Sequence, residues 1–282
     1  MEEQKRDTVT NPGVSGKGIN LYCFARSGLK LNVASSRLES NEPVAFLEVG
    51  DVTAVYSHVA LDDFTGESGE RHFQDPAWVV PRALEHERVI EEVMAFSPVF
   101  PVRFGVIFSS REALAQVVLE HGKEISCFLD HVVGKEEWCV KGFVDTEKAT
   151  ETLLSFDPVL AGQRQALAAS PGARYFQEKR LYAEARTRAS RWSRSAAHEI
   201  EDELHGLGGE SRPQKVSRGN DPGSSREMLL RHAFLVDRKS VGEFRDRVRE
   251  IGSRWSERGG ILELSGPWPP DSFCPVLGKP NP

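Results

Sequence analysis

The run Pro98–Phe108 constrains the fold of this chain more than any other segment. It reads Pro-Val-Phe-Pro-Val-Arg-Phe-Gly-Val-Ile-Phe, and all but one of its residues are apolar, proline or glycine. A short run of this kind, rich in β-branched and aromatic types, predicts one or two buried strands. Arg103 interrupts it, and an isolated buried charge is costly. Two interpretations follow: a structural ion pair with a carboxylate such as Glu87, or an arginine that binds a partner.

The residues before this run contain three strand-like segments and one helix signal. Gly50-Asp51 separates two of the segments and predicts a tight hairpin. The polar stretch Asp62–Gln74 contains two glycines and predicts a loop. Asp75-Pro76 pairs a capping residue with a proline suited to the first helical turn, although Pro81 also allows a later start. The predicted strands are Ile19–Ala25, Pro43–Val49 and Val52–Val59.

A helix is expected directly after the apolar run. Ser109-x-x-Glu112 has the pattern of a capping box, and Gly134 is suited to end the helix. The apolar residues recur at helical spacing, which predicts one buried face. They are Leu114, Val118, Ile125, Phe128, Leu129 and Val132.

The second half of the chain has a different order of elements. A long amphipathic helix is expected from about Ala173 to Leu207, and a second helix is expected after the capping box Ser240-x-x-Glu243. Together with four strands, the order is strand, helix, weak strand, strand, helix, strand, as in the ferredoxin-like βαββαβ fold. The predicted strands are Glu137–Asp145, Gln214–Ser217, Leu229–Val236 and Ile261–Leu264.

These elements predict an α+β protein with two domains. The N-terminal α+β domain covers 19–134, and the C-terminal ferredoxin-like domain covers 135–274. A disordered tail is expected over 1–18 and a flexible tail over 275–282.

Charge and sequence motifs exclude several classes of function. The net charge of −6 argues against a nucleic-acid surface, and no stretch approaches the about 18 apolar residues of a membrane span. The start of the chain lacks a signal-peptide pattern, so a cytoplasmic location is expected. The four cysteines are widely spaced, which predicts free thiols and no metal site. They are Cys23, Cys127, Cys139 and Cys274.

The same inspection predicts no catalytic, cofactor-binding or metal-binding residues. Gly13–Gly18 resembles a phosphate loop only superficially, because it lacks Ser or Thr after the lysine and precedes a strand. His86-Glu87 is the nearest approach to a zinc-protease motif, but Ile90 stands where the second histidine would be. We therefore interpret His86 as a surface or hinge histidine and the protein as a non-enzyme.

Three segments carry a resemblance to a known family, and they occur in the family's order. His86-Glu87 followed by Pro98–Phe108 resembles the His-Glu and Val-Leu-Pro-Leu-Arg-Phe-Gly-Thr-Val-Phe core of the gas vesicle protein F/L family (GvpF/GvpL). Glu137-Trp138-x-Val140-Lys141 is similar to its Glu-Trp-x-Val-Lys strand, and Gly266–Phe273 to its Gly-Pro-Trp-Pro-Pro-Tyr-Ser-Phe end. Four positions depart from the pattern: Pro81, Phe100, Ile107, and Asp271 in place of tyrosine.

The resemblance implies a two-domain accessory protein of gas vesicle assembly with no catalytic residues to transfer. It implies a place in the gas vesicle and contacts with the major shell protein GvpA and other accessory proteins, as a minor component or chaperone; an F-type or an L-type role stays open. The alternative function is a ferredoxin-like regulatory or small-ligand-binding module. The same segments are also explained as core and domain clasp. The candidate partner-binding residues are Phe100, Arg103, Phe104, Phe108 and Trp268.

Overall fold

The computed structural model describes residues 16–28, 42–168, 170–206, 209–216 and 226–278. Most of the predicted tail 1–18 lies outside these ranges, but its last two residues already belong to the first strand. The chain divides into two units, which we describe separately. The first unit is Met1–Val133 with Pro275–Pro282, and the second is Gly134–Cys274.

The first unit is built on an antiparallel sheet with the strand order β2-β3-β1-β4, in which β5 also pairs with β1. The predicted strands and the hairpin at Gly50-Asp51 are confirmed, with φ of 59° at Gly50. Three helices accompany the sheet. The elements are β1 (Lys17–Arg26), β2 (Ala45–Val49), β3 (Val52–Ala60), α1 (Gly66–Gln74), α2 (Pro76–Met94), β4 (Val99–Pro101), β5 (Ile107–Phe108) and α3 (Arg111–Val132).

The core of this unit forms where the buried stripe of α2 meets the sheet. Val89, Ile90 and Val93 recur at helical spacing and pack with β-strand residues such as Tyr22 and Val55. All six residues of the predicted stripe on α3 are buried, which confirms that helix face. Burial of these apolar side chains is the main source of stability for such a layer.

The prediction of a loop over Asp62–Gln74 is wrong. A 3-10 turn covers Leu61–Asp63, and α1 follows it. The glycines explain the error, because a glycine inside a polar stretch normally marks a loop. Here Gly69 allows close packing instead, since a Cβ at this position would lie 2.4 Å from the backbone carbon of Phe64.

The starts of α2 and α3 have the predicted type of cap, but the positions differ in detail from the prediction. Asp75 caps α2 by accepting a hydrogen bond from the Ala77 amide at 2.9 Å, and Pro81 lies inside the helix, not at its start. The cap of α3 is Ser110, not Ser109, and it accepts from the Ala113 amide at 3.2 Å. Adjacent serines offer the same chemistry, so the pattern alone does not choose between them.

The second unit contains a four-stranded antiparallel sheet with the order β7-β8-β6-β9. Its core includes Trp138, Val140, Phe234, Phe244 and Trp255. The elements are β6 (Lys135–Asp145), α4 (Thr146–Phe156), α5 (Pro158–Gln165), α6 (Pro171–His205), β7 (Glu210–Pro213), β8 (Arg226–Asp237), α7 (Val241–Ser256) and β9 (Gly260–Trp268).

Three details of this unit differ from the sequence prediction. The weak strand lies at Glu210–Pro213, earlier than the predicted Gln214–Ser217, and Ser217 lies outside the described residues. The side chain of Ser240 forms no capping bond within the described part of the chain, because the residue ends a 3-10 turn and already has helical backbone angles. On α6 the buried stripe includes Leu181, whereas Tyr182 is exposed. Within the described ranges, no helix is both long and apolar enough to cross a membrane.

Candidate partner-binding surface

The predicted segment Pro98–Phe108 forms a turn, and both ends of the segment are hydrogen-bonded to β1. The Val102 amide donates to the Tyr22 carbonyl at 2.9 Å, and the Leu21 amide donates to the Val106 carbonyl at 3.2 Å. Between these bonds the chain leaves the sheet, and Gly105 adopts φ of 90°, a conformation that favours glycine. We call Val102–Val106 the arginine turn, because Arg103 is its charged residue and is exposed.

His86 fastens the arginine turn to α2. Its Nε2 donates to the Val102 carbonyl at 2.6 Å, and Nδ1 lies 3.5 Å from the Asn20 Nδ2. The side chain is fully buried, and burial lowers the pKa of this histidine although its bond to the carbonyl opposes the shift. The expectation of a surface or hinge histidine is therefore wrong. Its partners lie 16 and 66 residues away in the chain, so local sequence did not indicate them.

Phe104 points into a group of aromatic rings, which we call the aromatic cluster: Phe64, Phe73, Trp78 and Phe104. The rings meet mainly edge to face, an arrangement that aromatic pairs prefer. Arg82 lies above Trp78, with its guanidinium carbon 4.3 Å from the ring centroid. The cluster is partly open, since Phe73 is 43% exposed. The centroid distances from Phe104 are 5.7 Å to His86, 6.0 Å to Phe64, 6.1 Å to Phe73 and 6.4 Å to Trp78.

The candidate residues of this unit differ in accessibility. Arg103 is exposed, so solvent stabilises its charge. Phe104 and Phe108 are half-buried. Phe100 is buried, with its ring 4.9 Å from that of Phe128 and 6.0 Å from that of Phe24. The side chain of Phe100 is part of the core, and a role of this residue in partner binding stays a prediction.

Trp268 belongs to the second unit, at the end of β9. It is 44% exposed, and its Nε1 donates to the Ser265 Oγ at 3.2 Å. The residues that follow it turn back onto the sheet, where Phe273 is buried. The predicted Trp268 tail is thus a short surface strand end followed by an anchored segment.

Glu137 anchors that segment. Its carboxylate accepts from the Ser272 amide at 3.1 Å and from the Ser272 Oγ at 2.5 Å. Burial raises the pKa of Glu137 to about 7, and nearby Asp271 adds to the shift, whereas the two Ser272 bonds and Arg212 oppose it. Glu137 and Ser272 come from two of the three sequence motifs singled out above, so the fold brings those motifs together.

A groove that sequence reasoning missed lies between α7 and β9. It has a volume of about 890 Å³. Trp138, Val248 and Leu262 line it with apolar surface, and Arg245 and Arg249 add positive charge. The groove exists because β9 is the edge strand beside β6. The sequence pattern does not reveal strand order, so it did not indicate the groove.

No group of three or more His, Cys, Asp or Glu suited to a metal occurs in the described ranges. None of the four cysteines forms a disulfide, and burial raises the pKa of Cys23 and of Cys274, which leaves both thiols protonated and weakly nucleophilic.

Comparison with known proteins identifies the family. Residues 18–275 match the family model described as gas vesicle synthesis protein GvpL/GvpF. Gas vesicle protein L from Streptomyces sp. (strain CB03234) is 27% identical over 240 residues, which cover 83% of this chain and 84% of that protein. Gas vesicle protein L1 from Halobacterium salinarum is 24% identical, with 98% and 97% covered.

Solved structures agree in fold. The crystal structure of the gas vesicle protein GvpF from Anabaena sp. PCC7120 has a TM-score of 0.64 to this chain at 18% identity, covering 93% of this chain and 99% of that one. That of GvpF from Microcystis aeruginosa has a TM-score of 0.62, also at 18% identity, with 92% and 99% covered. The mixed α+β architecture is therefore shared with these proteins. This chain belongs to the GvpL/GvpF family of gas vesicle synthesis proteins and has a role related to gas vesicles.

Proposed function

We propose that this protein is an accessory factor of gas vesicle formation that binds the major shell protein GvpA, either as a chaperone or as a minor component of the vesicle. The family assignment supports the vesicle role. A small apolar subunit that polymerises edge to edge aggregates when it is free, because its apolar face and strand edges are exposed. A protein that covers such a face until delivery prevents this loss.

The observation that carries this proposal is the arginine turn beside the open aromatic cluster. An exposed cation stands next to accessible apolar surface, including Phe73 and Val106, which are 43% and 37% exposed. Partner sites commonly combine aromatic and arginine side chains in this way. Arg103 supplies a charge for a carboxylate of the partner, and the neighbouring rings supply apolar contact.

We also infer a domain organisation from the strand order. The second unit has the order β7-β8-β6-β9 with every neighbouring pair antiparallel, which supports a ferredoxin-like fold over 135–274. The remaining described residues of 19–134 make up the N-terminal α+β domain in this proposal. Other accessory proteins of the vesicle are further partners, and no catalytic step is assigned.

Binding of purified GvpA to the full-length chain tests the function. We expect Arg103→Ala to weaken this binding by at least about tenfold, because arginines are enriched among the few interface residues whose loss costs about 2 kcal/mol or more. Thermal unfolding stays unchanged, since Arg103 is exposed. Arg88→Ala is the matched control, because Arg88 is an exposed arginine of the same unit, on α2. Lost folding in Arg103→Ala, or equal binding by both variants, contradicts the assignment of Arg103.

A deletion strain tests the vesicle role directly. We expect cells without this gene and without another family copy to form fewer or smaller vesicles, and a plasmid copy to restore them. Normal vesicles in such cells contradict the proposed function.

A further inference from the structure

The outer edge of β9 is the longest sheet edge without a neighbouring strand among the described residues of the second unit. β9 covers nine residues and pairs on one side with β6, from Cys139↔Ser265 to Val144↔Gly260. Among the described strands it has no neighbour on its other side. Its outward backbone groups therefore remain available to a further strand.

The opposite edge of the same sheet is protected. β7 covers only four residues and ends at Pro213, which has no amide proton to donate. Short edge strands and prolines are the usual ways in which proteins prevent unwanted pairing. β9 carries a proline only near its end, at Pro267, and one acidic residue, Glu263. The contrast indicates that the β9 edge is kept open.

The groove beside β9 lies where the side chains of an added strand would be. α7 packs against β9 and lines the groove together with it, so a strand added beyond β9 would direct alternate side chains toward α7. Gly252 and Ser253 have small or no side chains, so this side of α7 leaves space in the groove. Leu262 and Leu264 line the groove with apolar surface. The groove volume of about 890 Å³ is enough for several side chains.

The charge of the groove indicates the character of its occupant. Arg245 and Arg249 both line it and both are exposed, although the chain as a whole carries a net charge of −6. Arg249 also pairs with Asp246 on the same helix, but this exposed pair contributes little energy and leaves the guanidinium able to meet a second carboxylate. The guanidinium carbon of Arg245 lies 5.5 Å from the Trp138 ring centroid, which limits the freedom of its side chain. A strand with apolar residues alternating with at least one carboxylate matches this surface.

We propose that the β9 edge and its groove bind one extended strand of the apolar shell subunit by β-strand addition, with a carboxylate of that strand between Arg245 and Arg249. This inference rests on the proposed function. It assigns a second contact, in the second unit, besides the arginine turn of the first. Backbone hydrogen bonds then provide affinity, and the groove selects the sequence of the strand.

Peptides tiled along the GvpA sequence test this binding mode with the full-length chain. We expect one peptide to bind, and its binding to slow amide hydrogen exchange within 260–268. The double variant R245E/R249E and the groove-filling Ser253→Trp each weaken it by about tenfold or more, because they remove charge complementarity or space. Arg247→Glu is the control, since Arg247 is an exposed arginine of α7 that does not line the groove and pairs with Glu250.

The outcomes separate this inference from the proposed function. Intact GvpA that binds wild type and both groove variants equally, yet loses affinity for Arg103→Ala, overturns the β9 site alone. Peptide binding without slower exchange in 260–268 also overturns it. Failure of intact GvpA to bind the wild-type protein overturns both.

Discussion

His86 in the first unit and Glu137 in the second perform the same structural task with opposite chemistry. Each is a buried ionisable side chain that fastens a segment to its sheet: His86 holds Val102, and Glu137 holds Ser272. Burial disfavours the charged form of both groups, so it lowers the pKa of His86 and raises that of Glu137 to about 7. One physical cause, burial, therefore gives these two residues opposite contributions to the pH dependence of stability.

The signs follow from proton linkage. The folded form of His86 binds a proton less readily than the unfolded chain, so its contribution to stability is complete above the ordinary pKa of 6.5 and is lost as pH falls below it. The folded form of Glu137 binds a proton more readily than the unfolded chain. Its contribution is complete below the ordinary pKa of 4.5 and is lost as pH rises through about 7.

Replacement of His86 gives the largest expected effect. His86→Ala leaves the Val102 carbonyl without its donor and opens a cavity in a fully buried position. We expect the first unit to lose about 2–4 kcal/mol of unfolding free energy. Hydrogen exchange of native protein measures this in peptides from each unit separately. His121→Ala is the control on α3, because its 3.4 Å contact with Glu124 is a surface pair worth little. An equal loss of unfolding free energy in both units would contradict a role of His86 that is confined to the first unit.

Glu137→Gln tests the opposite pH response. Glutamine keeps one acceptor oxygen for the Ser272 amide, and its NH2 group can donate to the Ser272 Oγ. It does not titrate, so the pH dependence of the second unit decreases. In the wild type we expect the second unit to lose on the order of 2 kcal/mol between pH 5 and pH 8, and the variant to lose much less. Hydrogen exchange of β6 and of 270–274 at both pH values, corrected for intrinsic rates, provides the measurement. An unchanged pH dependence in Glu137→Gln would assign the effect to another group.

Ser272→Ala sharpens the account of Glu137 with a smaller change. The variant removes the Oγ bond of 2.5 Å and keeps the amide bond of 3.1 Å, so we expect a loss of about 1 kcal/mol at neutral pH. The removed bond favours the carboxylate, and its loss raises the pKa of Glu137 further. Protection of 270–274 at neutral pH is then lower, and the midpoint pH at which this segment loses protection is higher. A midpoint that moves to lower pH contradicts this role of Ser272.

Local patterns predicted the elements whose signal lies within a few residues. The hairpin at Gly50-Asp51 and the buried face of α3 are examples, because turn chemistry and helical spacing are local properties. The ends of helices were less certain, as the shift from Ser109 to Ser110 shows.

The missed features depend on contacts between distant parts of the chain. The glycines of α1 predict a loop by local rules, whereas Gly69 instead permits close packing against Phe64, which no local rule anticipates. Phe64, Phe73 and Trp78 in an otherwise polar stretch were the available signal for the aromatic cluster. Phe100 and Phe108 are both apolar strand residues, and only the sheet decides that one is buried and the other half-buried.

Asn20→Leu gives the smallest expected effect and asks which partner keeps His86 neutral. Nδ2 of Asn20 lies 3.5 Å from the histidine, at the limit of a hydrogen bond, and its buried Oδ1 has no partner among the described residues. Leucine is similar in size, and it removes both the weak contact with His86 and the unsatisfied acceptor. The cost of the first and the gain from the second offset each other within about 1 kcal/mol. Hydrogen exchange of the first unit measures stability, and NMR titration of His86 measures its pKa, which should stay below 6.5. A loss as large as that of His86→Ala would mean that Asn20, and not the Val102 carbonyl, holds the histidine in place.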